Sequence, residues 1–372
     1  MKLDIHHPAP IPNSYRAARV ASLFNIVDDA DFRLSIDAPF DARPWQIGLI
    51  KGPSGTGKTS IARAAFGGVD AVQTWPDSPL IEAIAPEGEF NAITTALASV
   101  GLGSVPSWLR PFKHLSNGEQ FRASMARLLC ERPALAVMDE FTSTIDRRVA
   151  RIGAAAFAKS WRRGPGQFVA VTCHEDVTDW LQPDWVIDTQ TGAFRWRRLR
   201  RAPVIAMDIH QTDGSFWSAF EPHHYLKLPR MVAANYYVGC VDGEPVAHVC
   251  FSTRPGMKEA RACRLVIMPE WQGAGLGLRF LNEVCALWRR GINRYAKPMP
   301  TLFHTSHPGL AEALRRDPKW AQISAELCGA SKLRSAQSLR AAAIRKGETE
   351  NLSTGGFGGH FRAVQGFRYV EE

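Results

Sequence analysis

The residues with the clearest chemistry form a glycine-rich loop early in the chain. The run Gly52-Pro53-Ser54-Gly55-Thr56-Gly57-Lys58-Thr59 follows an apolar stretch, Gln46 to Ile50, that is typical of a buried strand, and helical sequence follows the run. Glycines let backbone N–H groups turn towards a bound phosphate, and the N-terminus of the following helix adds positive potential. We therefore predict a phosphate-binding site formed by Gly52, Ser54, Gly55, Gly57, Lys58, Thr59 and Ser60.

Two adjacent acids end a second apolar stretch. Leu135 to Met138 is typical of a buried strand, and Asp139 and Glu140 follow it directly. Beside a nucleoside triphosphate, an aspartate in this position holds Mg²⁺ and a glutamate polarises the attacking water. We expect Thr59 and Asp139 to bind Mg²⁺ and Glu140 to be catalytic, so that this site binds and hydrolyses ATP.

A third motif lies between the phosphate loop and the acids. Leu115-Ser116-Asn117-Gly118-Glu119-Gln120 resembles the LSGGQ signature of ATP-binding cassette (ABC) ATPases, with Asn and Glu substituted. Phe141 to Asp146 resembles the D-loop of that family, and His174 resembles its switch histidine, which senses the γ-phosphate. The resemblance implies an ATP-dependent head-to-tail homodimer, in which the signature of each copy covers ATP held by the other. The signature residues that would contact this ATP are Ser116, Gly118 and Glu119.

The sequence departs from the ABC ATPases of membrane transporters. The Q-loop glutamine of the family has no clean counterpart here, with Gln73 and Asp77 as candidates, and the span from Thr59 to Leu115 is short for the helical subdomain that binds membrane partners. No apolar run approaches the roughly 18 residues that cross a bilayer, so we expect no membrane partner. Phe24 either stacks on adenine, as an aromatic residue of the family does, or lies in the core.

Composition favours a cytoplasmic protein with a polyanionic ligand. The seven cysteines include no CxxC pair, which argues against a disulfide framework or a zinc site, and Met1 to Pro12 lacks the apolar region of a signal peptide. The net charge of +9 fits DNA or RNA as a partner, and it equally fits smaller polyphosphate ligands. Basic and aromatic residues between Lys332 and Tyr369 either contact nucleic acid or form a solvated helix and a closing strand.

A basic stretch from Arg195 to Pro203, with five arginines, interrupts both kinds of periodicity. We therefore predict one domain at residues 1–200 and another at 201–372. In the second, Tyr236 to Val241 and Pro245 to Ser252 are predicted strands joined by a tight turn. A strand and a helix are also predicted at Thr301 to Phe303 and Leu310 to Arg316.

A second glycine-rich turn lies between a predicted strand, Arg264 to Met268, and a predicted helix, Leu278 to Arg290. Small residues there allow backbone amides to approach an anion. The segment resembles motif A of the GNAT acyltransferases, [QR]-x-x-G-x-[GA], and the resemblance extends over roughly Asn235 to Trp320. It implies that acetyl-CoA or another acyl-CoA binds here, with the pantetheine arm along the strand and the pyrophosphate at the turn. The residues implied are Val266, Ile267, Met268, Gln272, Gly273, Ala274, Gly275, Leu276 and Gly277.

Two histidine clusters compete for the catalysis of acyl transfer. One precedes the predicted strands of the second half, and the other follows the strand at Thr301 to Phe303. Histidine titrates near neutrality and suits proton removal from an attacking amine, although each of these histidines is either catalytic or structural. The tyrosine that usually serves as the acid in this family has no assigned counterpart. The candidates are His223, His224, Tyr225, His304 and His307.

The predicted fold class is α/β, with a P-loop ABC ATPase domain followed by a mixed α/β GNAT acyltransferase domain. The whole chain resembles ABC-type ATPases fused to a GNAT-type acetyltransferase domain, some of them carried by phages and other mobile elements. Its second half also faintly resembles the phage Mom-type acyltransferases that modify DNA bases. We therefore expect an ATP-gated N-acyltransferase that acts on nucleic acid. The open alternatives are a nucleotide-regulated acetyltransferase of proteins or small molecules, and a nucleic-acid clamp with a non-catalytic GNAT domain.

Overall fold

The computed structural model describes residues 1–8, 14–24, 31–68, 74–197, 205–226, 228–253, 258–327, 333, 337 and 362–371. The chain divides into two compact units. The first comprises Met1–Glu87 and Leu109–Pro203, and the second comprises Gly88–Trp108 and Val204–Glu372. This division differs from the predicted domains at 1–200 and 201–372, because the segment Gly88–Trp108 belongs to the second unit.

The helices and strands follow one another along the chain in four stretches. The first unit begins with β1 (Lys2–His7), α1 (Tyr15–Leu23), β2 (Phe32–Asp37), β3 (Ile47–Lys51), α2 (Lys58–Phe66) and α3 (Leu80–Ala83). The segment Gly88–Trp108 then contributes α4 (Phe90–Ser99) and α5 (Val105–Trp108) to the second unit. The first unit resumes with α6 (Asn117–Glu131), β4 (Leu135–Met138), α7 (Arg147–Trp161), β5 (Gln167–Thr172), α8 (Val177–Leu181), β6 (Trp185–Asp188) and β7 (Ala193–Trp196). The second unit continues with β8 (Asp208–Thr212), α9 (Trp217–Phe220), β9 (Asn235–Val241), β10 (Glu244–Thr253), β11 (Ala260–Ile267), α10 (Leu276–Arg289), β12 (Thr301–Thr305), α11 (Pro308–Arg316), β13 (Trp320–Glu326) and β14 (Val364–Tyr369).

The first unit is built on a five-stranded sheet in the order β4-β5-β3-β6-β7. Its strands are parallel except for β7, and β3 lies between β5 and β6 with its first four residues buried. Near-continuous apolar sequence is what a parallel strand covered on both faces requires. Because β3, β4 and β5 are parallel neighbours, the loops that follow them emerge at one edge of the sheet, where ligands bind in open α/β sheets.

Apolar and polar residues alternate in short runs from Arg19 to Ile50, as in Phe32 to Ile36, and this pattern predicts antiparallel strands. The antiparallel pair of β1 with β2 confirms the prediction for Phe32 to Ile36. The expectation of strand sequence from Arg19 onwards is wrong for residues 19–23. These lie in α1, whose N-cap Ser14 accepts a hydrogen bond from the Ala17 amide. Among the residues that the structure describes, no helix has the length and apolarity needed to span a membrane.

The second unit is built on a seven-stranded sheet in the order β13-β14-β12-β11-β10-β9-β8. Only β11 and β12 pair in parallel, and their pairing is confined to Ala260–Ala262 with Thr301–Phe303. Beyond Ala262 the two strands separate. The separation leaves one edge of β11 available just before the glycine-rich turn and α10.

Candidate functional site

The phosphate loop connects β3 to α2, as the sequence predicted. Gly55 and Gly57 both have left-handed backbone angles, with φ of +81° and +79°. Lys58 Nζ donates a 2.8 Å hydrogen bond to the Pro53 carbonyl, so the lysine lies folded over the loop. At the start of α2, Ser60 Oγ lies 2.8 Å from His7 Nε2, and this contact joins the helix to β1. The loop therefore has the form that surrounds phosphate oxygens with backbone amides.

The acids after β4 meet this loop. Thr59 Oγ1 donates a 2.7 Å hydrogen bond to Asp139 Oδ2, and Asp139 Oδ1 accepts from the Glu140 amide at 2.9 Å. Glu140 has a φ of +51° and accepts a hydrogen bond from Ser143 Oγ. A hydroxyl and a carboxylate this close supply the hard oxygen ligands that Mg²⁺ takes together with phosphates and waters. The pair Thr59 and Asp139 thus fits the predicted metal site.

The signature segment begins α6. Ser116 is the N-cap: its hydroxyl accepts from the Glu119 amide at 3.4 Å, while Glu119 Oε2 accepts from the Ser116 amide at 2.9 Å. This reciprocal pair is a capping box, which satisfies two of the free amides at a helix start. Gly118 follows within the first turn of the helix. Glu119 therefore has a structural role that its position in the motif did not reveal.

The four remaining candidates of the first half of the chain have different outcomes. His174 follows β5, next to the strand that leads into the phosphate loop, and its amide donates to Thr172 Oγ1 at 3.2 Å. The core interpretation of Phe24 is wrong, because its side chain is 74% exposed at the end of α1. Gln73 lies outside the described residues, and Asp77 forms an ion pair with Lys113.

The glycine-rich turn of the second unit connects β11 to α10. A short 3-10 helix, Pro269–Trp271, follows β11, and Gly275 is the N-cap of α10 with φ of +76°. Gln272 anchors the turn, because its Nε2 donates to the Ile267 carbonyl at 3.1 Å. The amides of Leu276 and Gly277 begin α10, so the helix N-terminus that favours a pyrophosphate is in place.

Residues of the segment Gly88–Trp108 contact this turn at Gln272. The Gly103 amide donates to Gln272 Oε1 at 3.1 Å, and a Cβ atom added at Gly101 would lie only 2.1 Å from the Gln272 carbonyl oxygen. The segment is fixed internally by Trp108, whose indole N–H donates to the Leu102 carbonyl at 2.8 Å. The positions of two Gln272 groups, the side-chain oxygen and the backbone carbonyl, therefore depend on Gly103 and Gly101, which precede the signature segment in the sequence.

The region where β11 and β12 separate contains a cavity of about 180 Å³. The structure brings members of both histidine clusters together there. His224, Tyr225, His304 and Ser306 all line the cavity, together with residues of β11. One histidine of each cluster, His224 and His304, therefore lines the same cavity.

His224 is suited to accept a proton. Its Nδ1 lies 2.8 Å from the Leu226 carbonyl oxygen and 3.2 Å from the Leu226 amide nitrogen, and the tautomer that donates over the shorter distance leaves Nε2 basic. Burial lowers the pKa of His224, and the nearby guanidinium groups of Arg264 and Arg362 lower it further, although the bond to Leu226 opposes them. The imidazole is therefore neutral at pH 7. The Tyr225 ring lies 4.9 Å from the His224 ring, which places a phenol in the same cavity.

The other two histidine candidates lie elsewhere. His223 is exposed at the end of a short 3-10 helix and does not line the cavity. His307 caps α11: Nδ1 accepts from the Leu310 amide at 3.2 Å, and Nε2 donates to the Gly103 carbonyl at 3.0 Å. Both nitrogens of His307 are thus engaged with backbone, and burial lowers its pKa. We assign His307 a structural role at the support of the glycine-rich turn.

A bulge in β11 shapes the cavity and was not predicted. The register of β10 against β11 shifts between His248 and Cys250, and Arg264 has φ of +57°. The buried His248 holds the bulge, because its Nδ1 donates to the Arg264 carbonyl at 3.0 Å. Burial lowers the pKa of His248 to about 4, so it stays neutral. A pattern of apolar and polar residues gives no sign of a bulge, since the extra residue alters pairing and not composition.

Cys263 lines the same cavity. Burial raises the pKa of its thiol, and the neighbouring guanidinium groups of Arg261 and Arg264 only partly offset this. A thiol in that state is weakly nucleophilic, because the thiolate is the reactive form. Direct attack of an acceptor on the thioester therefore suits this cavity better than an acyl-cysteine intermediate.

Comparison with known proteins agrees with this division of chemistry. The acetyltransferase (GNAT) family model matches residues 176–304. The zinc import ATP-binding protein ZnuC of Pseudomonas syringae pv. syringae (strain B728a) is 30% identical over 145 residues, which is 33% of this chain and 52% of ZnuC. The cytochrome c biogenesis ATP-binding export protein CcmA of Rhodopseudomonas palustris (strain HaA2) is 30% identical over 149 residues, which is 32% of this chain and 72% of CcmA.

The chain thus spans about half the length of that ZnuC protein, at 52%, and more of CcmA, at 72%. Among solved structures, a bacterial Atm1-family ABC exporter with ATP bound aligns with 44% of this chain and 34% of its own at 16% identity, with a TM-score of 0.32, a likeness too slight to add to the case. The chain belongs to the ABC ATP-binding proteins and carries a GNAT-type acetyltransferase domain fused to the ATPase.

Proposed function

We propose that this protein is a nucleotide-gated N-acyltransferase, in which ATP binding and hydrolysis control acyl transfer from acyl-CoA to an amine on nucleic acid. The gating is inferred from the sequence position of one segment and from its contact with Gln272. The segment Gly88–Trp108, which lies in sequence between Thr59 and Ser116, holds the Gln272 turn of the second unit. A displacement of the signature segment on ATP binding would pull on residues directly joined to that turn.

The ATPase step uses groups that already lie together. Thr59 and Asp139 would hold Mg²⁺, which neutralises charge on the phosphates. Lys58 exchanges the Pro53 carbonyl for the β and γ phosphates, and Glu140 orients the attacking water. The signature of a second copy, with Ser116 and Gly118, completes the site in a head-to-tail dimer.

Acyl transfer takes place in the cavity between β11 and β12. The acceptor nitrogen attacks the thioester carbonyl, a C–N bond forms, and the C–S bond breaks to release CoA as its thiolate. His224 Nε2 takes the proton from the attacking nitrogen, and the Tyr225 hydroxyl protonates the thiolate. His304 lines the same cavity and is the alternative base.

The proposed acceptor class rests on charge. The chain carries a net charge of +9, and arginines line the cavity in which the acceptor nitrogen must react. Phosphates neutralised by such groups release counterions, so binding to a nucleic acid should weaken steeply as salt rises. An exocyclic base amine would supply the nucleophile.

The test measures ATP hydrolysis and transfer of labelled acetyl groups in parallel. Wild type and Glu140→Gln are compared with double-stranded DNA, single-stranded DNA and RNA at two salt concentrations. We expect one polymer to stimulate hydrolysis at low salt and to acquire label only when ATP is present, with hydrolysis lost in Glu140→Gln. Hydrolysis indifferent to all three polymers, with no labelled polymer, would direct the search to protein or small-molecule acceptors. Stimulation without any acyl transfer would identify a clamp.

A further inference from the structure

The cavity that contains His224, Tyr225 and His304 is lined by three arginines: Arg261, Arg264 and Arg362. Aspartate and glutamate are absent from the described residues that line it. An acetyl group is uncharged and would make no use of such a lining. The excess positive charge therefore calls for another explanation within the substrate.

The first two arginines lie on the stretch of β11 that lines the cavity. Arg261 and Arg264 are three residues apart in β11, and in a regular strand residues at this spacing point to opposite faces. The bulge at Arg264, with φ of +57°, interrupts this alternation, and residues 261–265 all line the cavity. Arg264 Nη2 donates a hydrogen bond of 3.4 Å to the Pro229 carbonyl, and the guanidinium carbon lies 5.9 Å from the centre of the Trp217 ring.

The positive charges of these side chains lower the pKa values of other groups that line the cavity. Arg264 and Arg362 contribute to lowering the pKa of His224, after burial. Arg261 and Arg264 act in the same direction on the pKa of Cys263, against the larger effect of its burial. The guanidinium groups thus lie close enough to the reacting centre to influence what binds there.

We propose that Arg261, Arg264 and Arg362 form a subsite for an anionic group of the substrate, a carboxylate or a phosphate, beside the reacting thioester. The planar guanidinium fork matches both anions, and the described lining of the cavity contains no carboxylate. The subsite rests on the proposed acyl transfer and specifies its substrate. The anion is either a terminal carboxylate on the acyl group or a phosphate next to the accepting amine of a nucleotide.

Calorimetric binding to the full chain separates these two sources. Succinyl-CoA is compared with butyryl-CoA, whose acyl group has the same number of carbons and no charge. On protein saturated with CoA, nucleoside 5′-monophosphates are compared with the corresponding nucleosides. We expect the charged member of one pair to bind roughly tenfold to a hundredfold more tightly, as a charge-assisted hydrogen bond implies.

The variants are Arg261→Gln and Arg264→Gln, which should abolish that preference, and Arg264→Lys, which keeps the charge and should retain part of it. Arg290→Gln removes the same charge at an exposed position beyond α10 and should leave the preference unchanged. A thermal unfolding profile matched to wild type identifies the variants that are folded, and Arg264→Lys carries the test if either Gln variant is not.

A preference for succinyl-CoA assigns the subsite to the acyl group, and a preference for monophosphates assigns it to the acceptor. Equal binding within both pairs overturns the proposal. Equal losses for CoA, succinyl-CoA and butyryl-CoA in the Gln variants also overturn it, because the arginines would then serve the phosphates of CoA. These measurements need no turnover, so a failure to acylate nucleic acid is distinguishable from a failure of the subsite.

Discussion

A substitution at Gly101 tests whether the segment Gly88–Trp108 sets the geometry of the glycine-rich turn before α10, where we propose that acyl-CoA binds. In Gly101→Ala the new Cβ would lie 2.1 Å from the Gln272 carbonyl oxygen, whereas real contacts of this kind stay above 3.0 Å. The two atoms must therefore separate by about 0.9 Å, and the turn moves with Gln272. A shift of that size breaks at least one charge-assisted hydrogen bond to the pyrophosphate, about 1.5–3 kcal/mol, so the Kd for acetyl-CoA should rise roughly tenfold to 150-fold.

The control is Gly243→Ala. Gly243 has φ of +81°, close to the +84° of Gly101, but an added Cβ meets no atom within 4 Å. Both variants therefore carry a similar left-handed strain of about 1–2 kcal/mol, and only Gly101→Ala displaces Gln272. Isothermal titration with acetyl-CoA compares the two, and ATP binding serves as a check on the first unit. If Gly101→Ala binds acetyl-CoA within threefold of Gly243→Ala, the segment does not set the geometry of the turn.

Other substitutions address the ATP site and the reacting centre. Glu140→Gln should lower ATP hydrolysis by about a hundredfold or more, because a positioned general base contributes roughly 10²–10⁴-fold. The variant should also accumulate an ATP-dependent dimer in analytical ultracentrifugation, and a monomer at saturating ATP would contradict the head-to-tail arrangement. Ser116→Ala removes the cap that accepts from Glu119 and should lower the free energy of unfolding by about 1 kcal/mol in denaturant titration, with no change if the cap is dispensable. For acyl transfer, kcat/KM should fall as pH drops through the lowered pKa of His224, since protonation removes the base. Arg264→Gln removes a positive neighbour, raises that pKa and should move the acidic limb to higher pH; an unmoved limb would point to His304.

The ATP site was largely predictable because its residues lie close together in sequence at fixed spacings. A strand, a glycine-rich loop and a helix specify the phosphate loop, and two acids at the end of a buried strand specify their partner Asp139. Parallel pairing then makes the meeting of Thr59 and Asp139 a consequence of topology. What the motif did not reveal was the capping role of Glu119, which depends on where α6 begins.

The acyl-transfer site was predictable only in part. The glycine-rich turn and its flanking strand and helix were identified, but the choice among five candidates depended on contacts between distant segments. His307 is engaged by the Gly103 carbonyl, more than two hundred residues earlier in the chain, and no local pattern reports such a contact. The arginines of the cavity were not predicted, because a sequence pattern shows neither the bulge at Arg264 nor that residues 261–265 line a cavity.

Because Gly88–Trp108 belongs to the second unit, a single cut in the chain cannot separate the two units. A cut between residues 203 and 204 would leave α4 and α5 on the fragment that lacks α11, and it would strip the Gly103 contact from Gln272 and His307 in the other. The buried face of α4 would then be exposed to water, and the glycine-rich turn before α10 would lose the hydrogen bond from the Gly103 amide to Gln272 Oε1. Separate expression of the halves is therefore a poor assay of either activity, and a functional acyltransferase fragment would need residues 88–108 grafted back through a linker. The same arrangement prevents exchange of either half as an independent cassette by a single recombination event.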